Sequence, residues 1–92
     1  MTKVMEFGER MCRECGIPYK PCMGMTDDIL AIGIDDNDVI GKAELKNWLN
    51  QHHWVFVKND DKYIDMCNGA FQVHHKEVTY KHGNHKIVIM CD

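Results

Sequence analysis

The chain has 92 residues and a formal net charge of −3, and 45% of its residues are hydrophobic. This length fits one domain, and the hydrophobic content excludes a disordered chain. No apolar run approaches the roughly 20 residues that a membrane-spanning helix needs, and no dense lysine or arginine stripe is present to bind nucleic-acid phosphates. We therefore expect neither membrane insertion nor direct binding of nucleic acid.

We expect a single domain over residues 1–92, in three parts. Residues 1–25 hold a helix and an irregular segment with cysteines, residues 26–53 an acidic segment and a central helix, and residues 54–92 an antiparallel sheet. The first ten residues lack the apolar stretch of a signal peptide. We therefore expect a cytoplasmic protein, in which cysteines are reduced.

The first predicted element is a helix from Thr2 to about Glu14. Thr2 is a suitable N-cap, and Gly16 followed by Pro18 is a stop signal, because glycine accepts the left-handed conformation and proline cannot continue a helix. At about 100° per residue, one face of this helix is apolar. It contains Val4, Phe7, Met11 and Cys15, with Met5 and Cys12 at its edge.

Two cysteines in the first helix have the Cys-x-x-Cys spacing of half a zinc site. These are Cys12 and Cys15, followed by Gly16, and Cys22 is a candidate third ligand. The fourth ligand would come from Cys67, Cys91, or the pair His82 and His85. Alternatively, the thiols face the core as small hydrophobic groups and the protein needs no cofactor. The sequence leaves both interpretations open.

Five aspartates and no lysine or arginine lie between Thr26 and Gly41. These candidate partner-binding residues are Asp27, Asp28, Asp35, Asp36 and Asp38. They form either a solvated loop that caps the next helix or an acidic surface for a partner protein with a basic surface. The apolar residues 29–34 between them are either a buried strand or a loop that fills the core.

A second helix is predicted to run from Val39 or Lys42 to His52, because hydrophobic residues and one histidine recur there at helical spacing. They are Leu45, Trp48, Leu49 and His52.

After His53 the pattern changes to β-branched and aromatic runs separated by turn residues. The predicted strands are 54–57, 63–67, 71–74, 78–80 and 86–90, with turns at 59–61, 68–69 and 82–84. Residues 71–74 and 78–80 form either one bent strand or two. The sequence therefore predicts an α+β fold, with one or two helices packed on an antiparallel β-meander of three to five strands in the C-terminal half. The last strand would leave an apolar edge at which two copies could form a homodimer.

No recognisable catalytic set accompanies these elements. The chain has no serine, and no nucleophile, base and orienting group can be assigned together. The leading prediction is a small non-enzymatic regulator or inhibitor that binds a partner protein through the five aspartates. The alternatives are a zinc-stabilised module, with Cys12, Cys15 and Cys22 as ligands, that binds protein or nucleic acid, and a hydrolase that uses His82 and His85.

Overall fold

The computed structural model describes residues 2–22, 26–66 and 71–91. Within these ranges the chain forms two helices and one sheet of four strands. In chain order the elements are α1 Lys3–Cys15, β1 Ile29–Ile34, α2 Val39–Gln51, β2 Val55–Met66, β3 Phe71–His82 and β4 His85–Cys91. The predicted α+β class is confirmed.

Helix α1 begins and ends as its sequence predicts. The Thr2 hydroxyl accepts a hydrogen bond from the Met5 amide at 3.2 Å, which satisfies one of the free N–H groups of the first turn. Gly16 closes the helix with a φ of +69°. Val4 and Met11 of the predicted face are buried, and Phe7 and Cys15 are partly buried against the core. Gly8 and Cys12 are also buried and extend this face to one side.

The sheet has the order β1-β4-β3-β2, and β1 runs parallel to β4 while the other neighbours are antiparallel. Residues 29–34 are therefore a strand of a mixed sheet. The prediction that residues 86–90 form an exposed edge is wrong, because β4 pairs with β1 on one side and with β3 on the other. The edge strands among the described residues are β1 and β2.

The predicted turn at residues 59–61 is also wrong, because these residues lie within the continuous strand β2. They pair with β3, where Asn59 lies opposite Val78 and Asp61 opposite Lys76. Cross-strand pairing overrides the weak strand preference of asparagine and aspartate. The register shifts between Phe56 and Lys58, which marks a bulge. The turn predicted at residues 68–69 lies outside the described residues.

The outer edge of β1 is covered by a short segment that follows α1. The Cys22 amide donates to the Ala31 carbonyl at 2.7 Å, and the Gly33 amide donates to the Lys20 carbonyl at 2.9 Å. Pro21 lies between these two hydrogen bonds, opposite Ile32. This pairing protects the middle of β1 from other strands.

Burial of the sheet falls from β1 to β2 along one row of paired residues. Leu30 pairs with Ile87, Ile87 with Tyr80, and Tyr80 with Phe56. Their exposed fractions are 0%, 0%, 4% and 53% in that order. Helix α1 contacts β1 and β4, and Leu45 of α2 is fully buried. The helices therefore cover the β1 end of this row of residues and leave the β2 end open to solvent.

Candidate functional site: the acidic loop

Strand β1 separates the five predicted aspartates into two groups. Asp27 and Asp28 precede β1, whereas Asp35, Asp36 and Asp38 follow it. A strand of six residues is about 20 Å long at about 3.3 Å per residue. The structure therefore does not bring the five carboxylates together. The three that follow β1 form a continuous segment with the start of α2, which we call the acidic loop (residues 35–40).

Two carboxylates of the acidic loop hold its backbone. The Asp35 side chain accepts a hydrogen bond from the Asn37 amide at 2.9 Å. The Asp38 side chain accepts one from the Gly41 amide, also at 2.9 Å, and Asp38 is the N-cap of α2. A negative charge at this position also interacts favourably with the helix dipole. The predicted capping role is thus present in the structure.

The third carboxylate links the acidic loop to α2. The Lys42 ammonium lies 3.1 Å from Asp36 Oδ1 and donates a hydrogen bond to the Asp36 carbonyl at 2.6 Å. Both side chains of this ion pair are partly exposed, so its contribution to stability is small. Its structural effect is to fix a third point of the loop. A loop that is ordered before binding loses less entropy when a partner docks on it.

Two large apolar side chains lie beside these carboxylates in solvent. Val39 is 70% exposed and Ile40 is 78% exposed, and they form the first turn of α2 directly after Asp38. Neither residue is among the candidate site residues predicted from the sequence. Their helical phase was the available signal, because both lie off the face that buries Leu45 and Leu49.

Of the other two aspartates, which precede β1, Asp28 lies near the turn between β3 and β4. Both are exposed. The Asp28 carbonyl accepts a hydrogen bond from the Lys86 amide at 2.8 Å, which holds the start of β1 against β4. The Asp28 carboxylate lies 4.0 Å from His85 Nε2, which is too far for a hydrogen bond.

The predicted zinc ligands have different environments. Cys12 is buried in the core, and its burial raises the pKa of the thiol to about 11. Cys15 is half-buried and donates to the Glu44 carbonyl at 3.5 Å, and burial raises its pKa as well. Cys22 lies in the segment that covers β1. In residues 2–22, 26–66 and 71–91, no three His, Cys, Asp or Glu side chains are arranged to hold a metal ion.

The two histidines predicted for a hydrolase pair with each other across β3 and β4. The centroid of the Phe7 ring lies 6.1 Å from the ring of His82 and 6.1 Å from that of His85. Trp54 lies 5.3 Å from His82. These rings pack against aromatic side chains. A general base needs a hydrogen bond that orients its imidazole, and neither histidine has one to the part of the chain that the structure describes.

Among the described residues, neither helix is long and apolar enough to cross a bilayer. The chain matches no protein-family model, no curated protein and no solved structure, so the interpretation of the acidic loop depends on its geometry and chemistry.

Proposed function

We propose that this protein is a small non-enzymatic binding protein of the cytoplasm that regulates a partner protein by covering part of its surface. The acidic loop makes the contact, with Val39 and Ile40 as apolar anchors and the carboxylates around them. The surface of the partner is basic and contains an apolar depression. Cys12 and Cys15 lie three residues apart as thiols and form no disulfide, which agrees with a reducing compartment.

One observation supports this proposal above the others. Val39 and Ile40 are the two most exposed large apolar side chains of the described residues, and they lie directly beside the three carboxylates of a braced loop. Apolar anchors surrounded by polar groups are the usual composition of an interface hot spot. Charges at the rim add selectivity for a partner of opposite potential and increase the association rate.

The experiment begins with affinity capture of the partner from the cells that make this protein, followed by measurement of binding kinetics with the purified pair. The variant V39S/I40S should weaken binding by about 30-fold or more, because loss of a hot spot costs about 2 kcal/mol or more. The variant Asp35→Asn should mainly lower the association rate and reduce its dependence on salt.

The matched control is the double variant D27N/D28N, which removes two exposed carboxylates at the other end of β1. We expect it to bind the partner as the unchanged protein does. If D27N/D28N loses binding while V39S/I40S retains it, the acidic loop is not the contact surface. Circular dichroism and thermal melting should show that all variants remain folded.

A further inference from the structure

A groove lies beside α2, above the half of the sheet that the helices leave open. It has a volume of about 490 Å³. Its lining residues come from α2, β2 and β3: Lys46, Asn50, Phe56, Asn59, Val78 and Tyr80. We call it the α2–β2 groove. We propose that a helix of a partner protein, apolar on one face and acidic along one flank, docks in this groove.

The floor of the groove is apolar and accessible. Phe56 is 53% exposed although it stands in the same cross-strand row as the buried Tyr80. The two rings meet edge to face with centroids 5.9 Å apart, so Phe56 packs on Tyr80 while part of its ring remains open to solvent. Val78 is half-buried beside them. An apolar face that covers these three side chains would remove them from water, which is favourable in proportion to the area buried.

The positive charge of the groove favours an acidic partner segment. Among the described residues that line it, none has a carboxylate. Lys46 is exposed and makes no ion pair with a described residue, whereas the preceding lysine on this flank, Lys42, is paired with Asp36. A partner segment with carboxylates opposite α2 would complement the free ammonium of Lys46. A basic segment would be repelled by it.

A helix fits this position better than an added strand. The edge of β2 is protected by the bulge after Phe56, by the Lys58–Asp60 ion pair at 3.1 Å and by the exposed Asp61. Bulges and charges of this kind disfavour pairing with another strand. The flank of α2 from Lys42 to Asn50 is about 12 Å long at about 1.5 Å per residue, which accommodates about two turns of an amphipathic helix.

The probes are two synthetic helical peptides with the same apolar face, one with glutamates along the flank and the other with lysines. Binding to the whole protein is measured by fluorescence anisotropy. We expect the acidic peptide to bind at least about tenfold more tightly than the basic one, with Lys46→Glu reversing this preference. Phe56→Ser should weaken both peptides, and the amide NMR signals of Val78 and Tyr80 should shift on binding.

Lys20→Glu is the matched control, since Lys20 is an exposed lysine in the segment that covers β1, and it should keep the preference for the acidic peptide. The proposal is overturned if the two peptides bind equally, or if Lys46→Glu keeps the original preference. It is also overturned if the protein forms dimers that Phe56→Ser dissociates, because a second copy would then occupy the groove. The acidic loop is unchanged in these variants, so this test is independent of the proposed function.

Discussion

Cys12 shows how the position of one side chain decides between two interpretations of the same motif. Its thiol is 1% exposed and lies among the core residues of α1. Burial, with a smaller contribution from Cys15, raises the pKa of the thiol from 9.0 to about 11. Metal ligands and reactive cysteines are thiolates with lowered pKa values. The environment of Cys12 therefore favours its protonated form and a packing role.

This pKa predicts a loss of stability at high pH. Between about pH 9 and about pH 11 the unfolded chain releases the Cys12 proton while the folded chain retains it, so stability falls as pH rises through this window. The stabilisation is complete below about pH 9, and its loss amounts to about 2–3 kcal/mol. Urea unfolding of the unchanged protein and of Cys12→Ala on both sides of this window measures the effect.

The Cys12→Ala variant should be less stable at neutral pH, because it leaves a small cavity, but should lose less stability in alkali. Burial also raises the pKa values of Tyr19 and Tyr80. The contribution of Tyr80 is common to both proteins, whereas that of Tyr19 includes a smaller repulsion by the Cys12 thiolate, which the variant lacks. Equal alkaline losses in the two proteins would contradict the role assigned to the thiol.

Glu14 connects the two helices. Its carboxylate accepts a hydrogen bond from Arg10 Nε at 2.6 Å, one turn earlier in α1, and another from Trp48 Nε1 of α2 at 3.2 Å. The hydrogen bonds from Arg10 and then from Trp48 lower the pKa of Glu14. The packing of α1 against α2 is therefore helped by a carboxylate at the surface as well as by the core.

A lowered pKa in the folded chain means that Glu14 stabilises the fold above its ordinary pKa of 4.5, and that this stabilisation is lost as pH falls through the folded value. We expect Glu14→Gln to make the melting temperature less dependent on pH as the pH falls below the ordinary pKa of 4.5. The amide oxygen of the glutamine can still accept the hydrogen bond from Trp48, so the change in pH dependence measures the contribution of the carboxylate charge.

Glu6→Gln is the control for this experiment, because Glu6 is an exposed residue of the same helix and makes no side-chain hydrogen bond to a described residue. Its acid dependence should match that of the unchanged protein. If Glu14→Gln shows the same acid dependence as Glu6→Gln, the link between the helices does not depend on the carboxylate charge.

At the scale of the whole molecule, the fold predicts that the domain does not require zinc. Its core joins residues of both helices and of three strands, including the protonated Cys12. We expect the purified protein to contain no stoichiometric zinc by elemental analysis and to melt at the same temperature with and without a chelator. About one zinc per chain, with melting at a lower temperature after chelation, would instead support the zinc-stabilised module.

The sequence predicted the elements whose signals are local. The cap at Thr2, the stop at Gly16 and the apolar spacing of α2 depend on neighbouring residues only. The position of β4 inside the sheet depends on pairing with β1, more than 50 residues earlier in the chain, and no local pattern reports that. Likewise Asn59 is a turn former that β3 holds in a strand.

The site was predictable in part for the same reason. The acidic residues are visible in the sequence, but their division by β1 follows from the strand assignment that the sequence left open. The exposure of Val39 and Ile40 followed from helical phase alone. The α2–β2 groove, in contrast, depends on which half of the sheet the helices cover. An aromatic residue in a predicted strand, such as Phe56, does not indicate whether a helix covers it.

Pro21 has a consequence for the behaviour of the protein at high concentration. The hydrogen bonds to β1 are made by Lys20 and Cys22, on either side of Pro21. The main-chain nitrogen of Pro21 therefore points away from β1, and because it is part of the proline ring it has no hydrogen to donate. If a strand of another molecule paired at this position, one of that strand's carbonyl groups would lack a hydrogen-bond donor. We therefore expect fibril growth by strand addition to be disfavoured on this side.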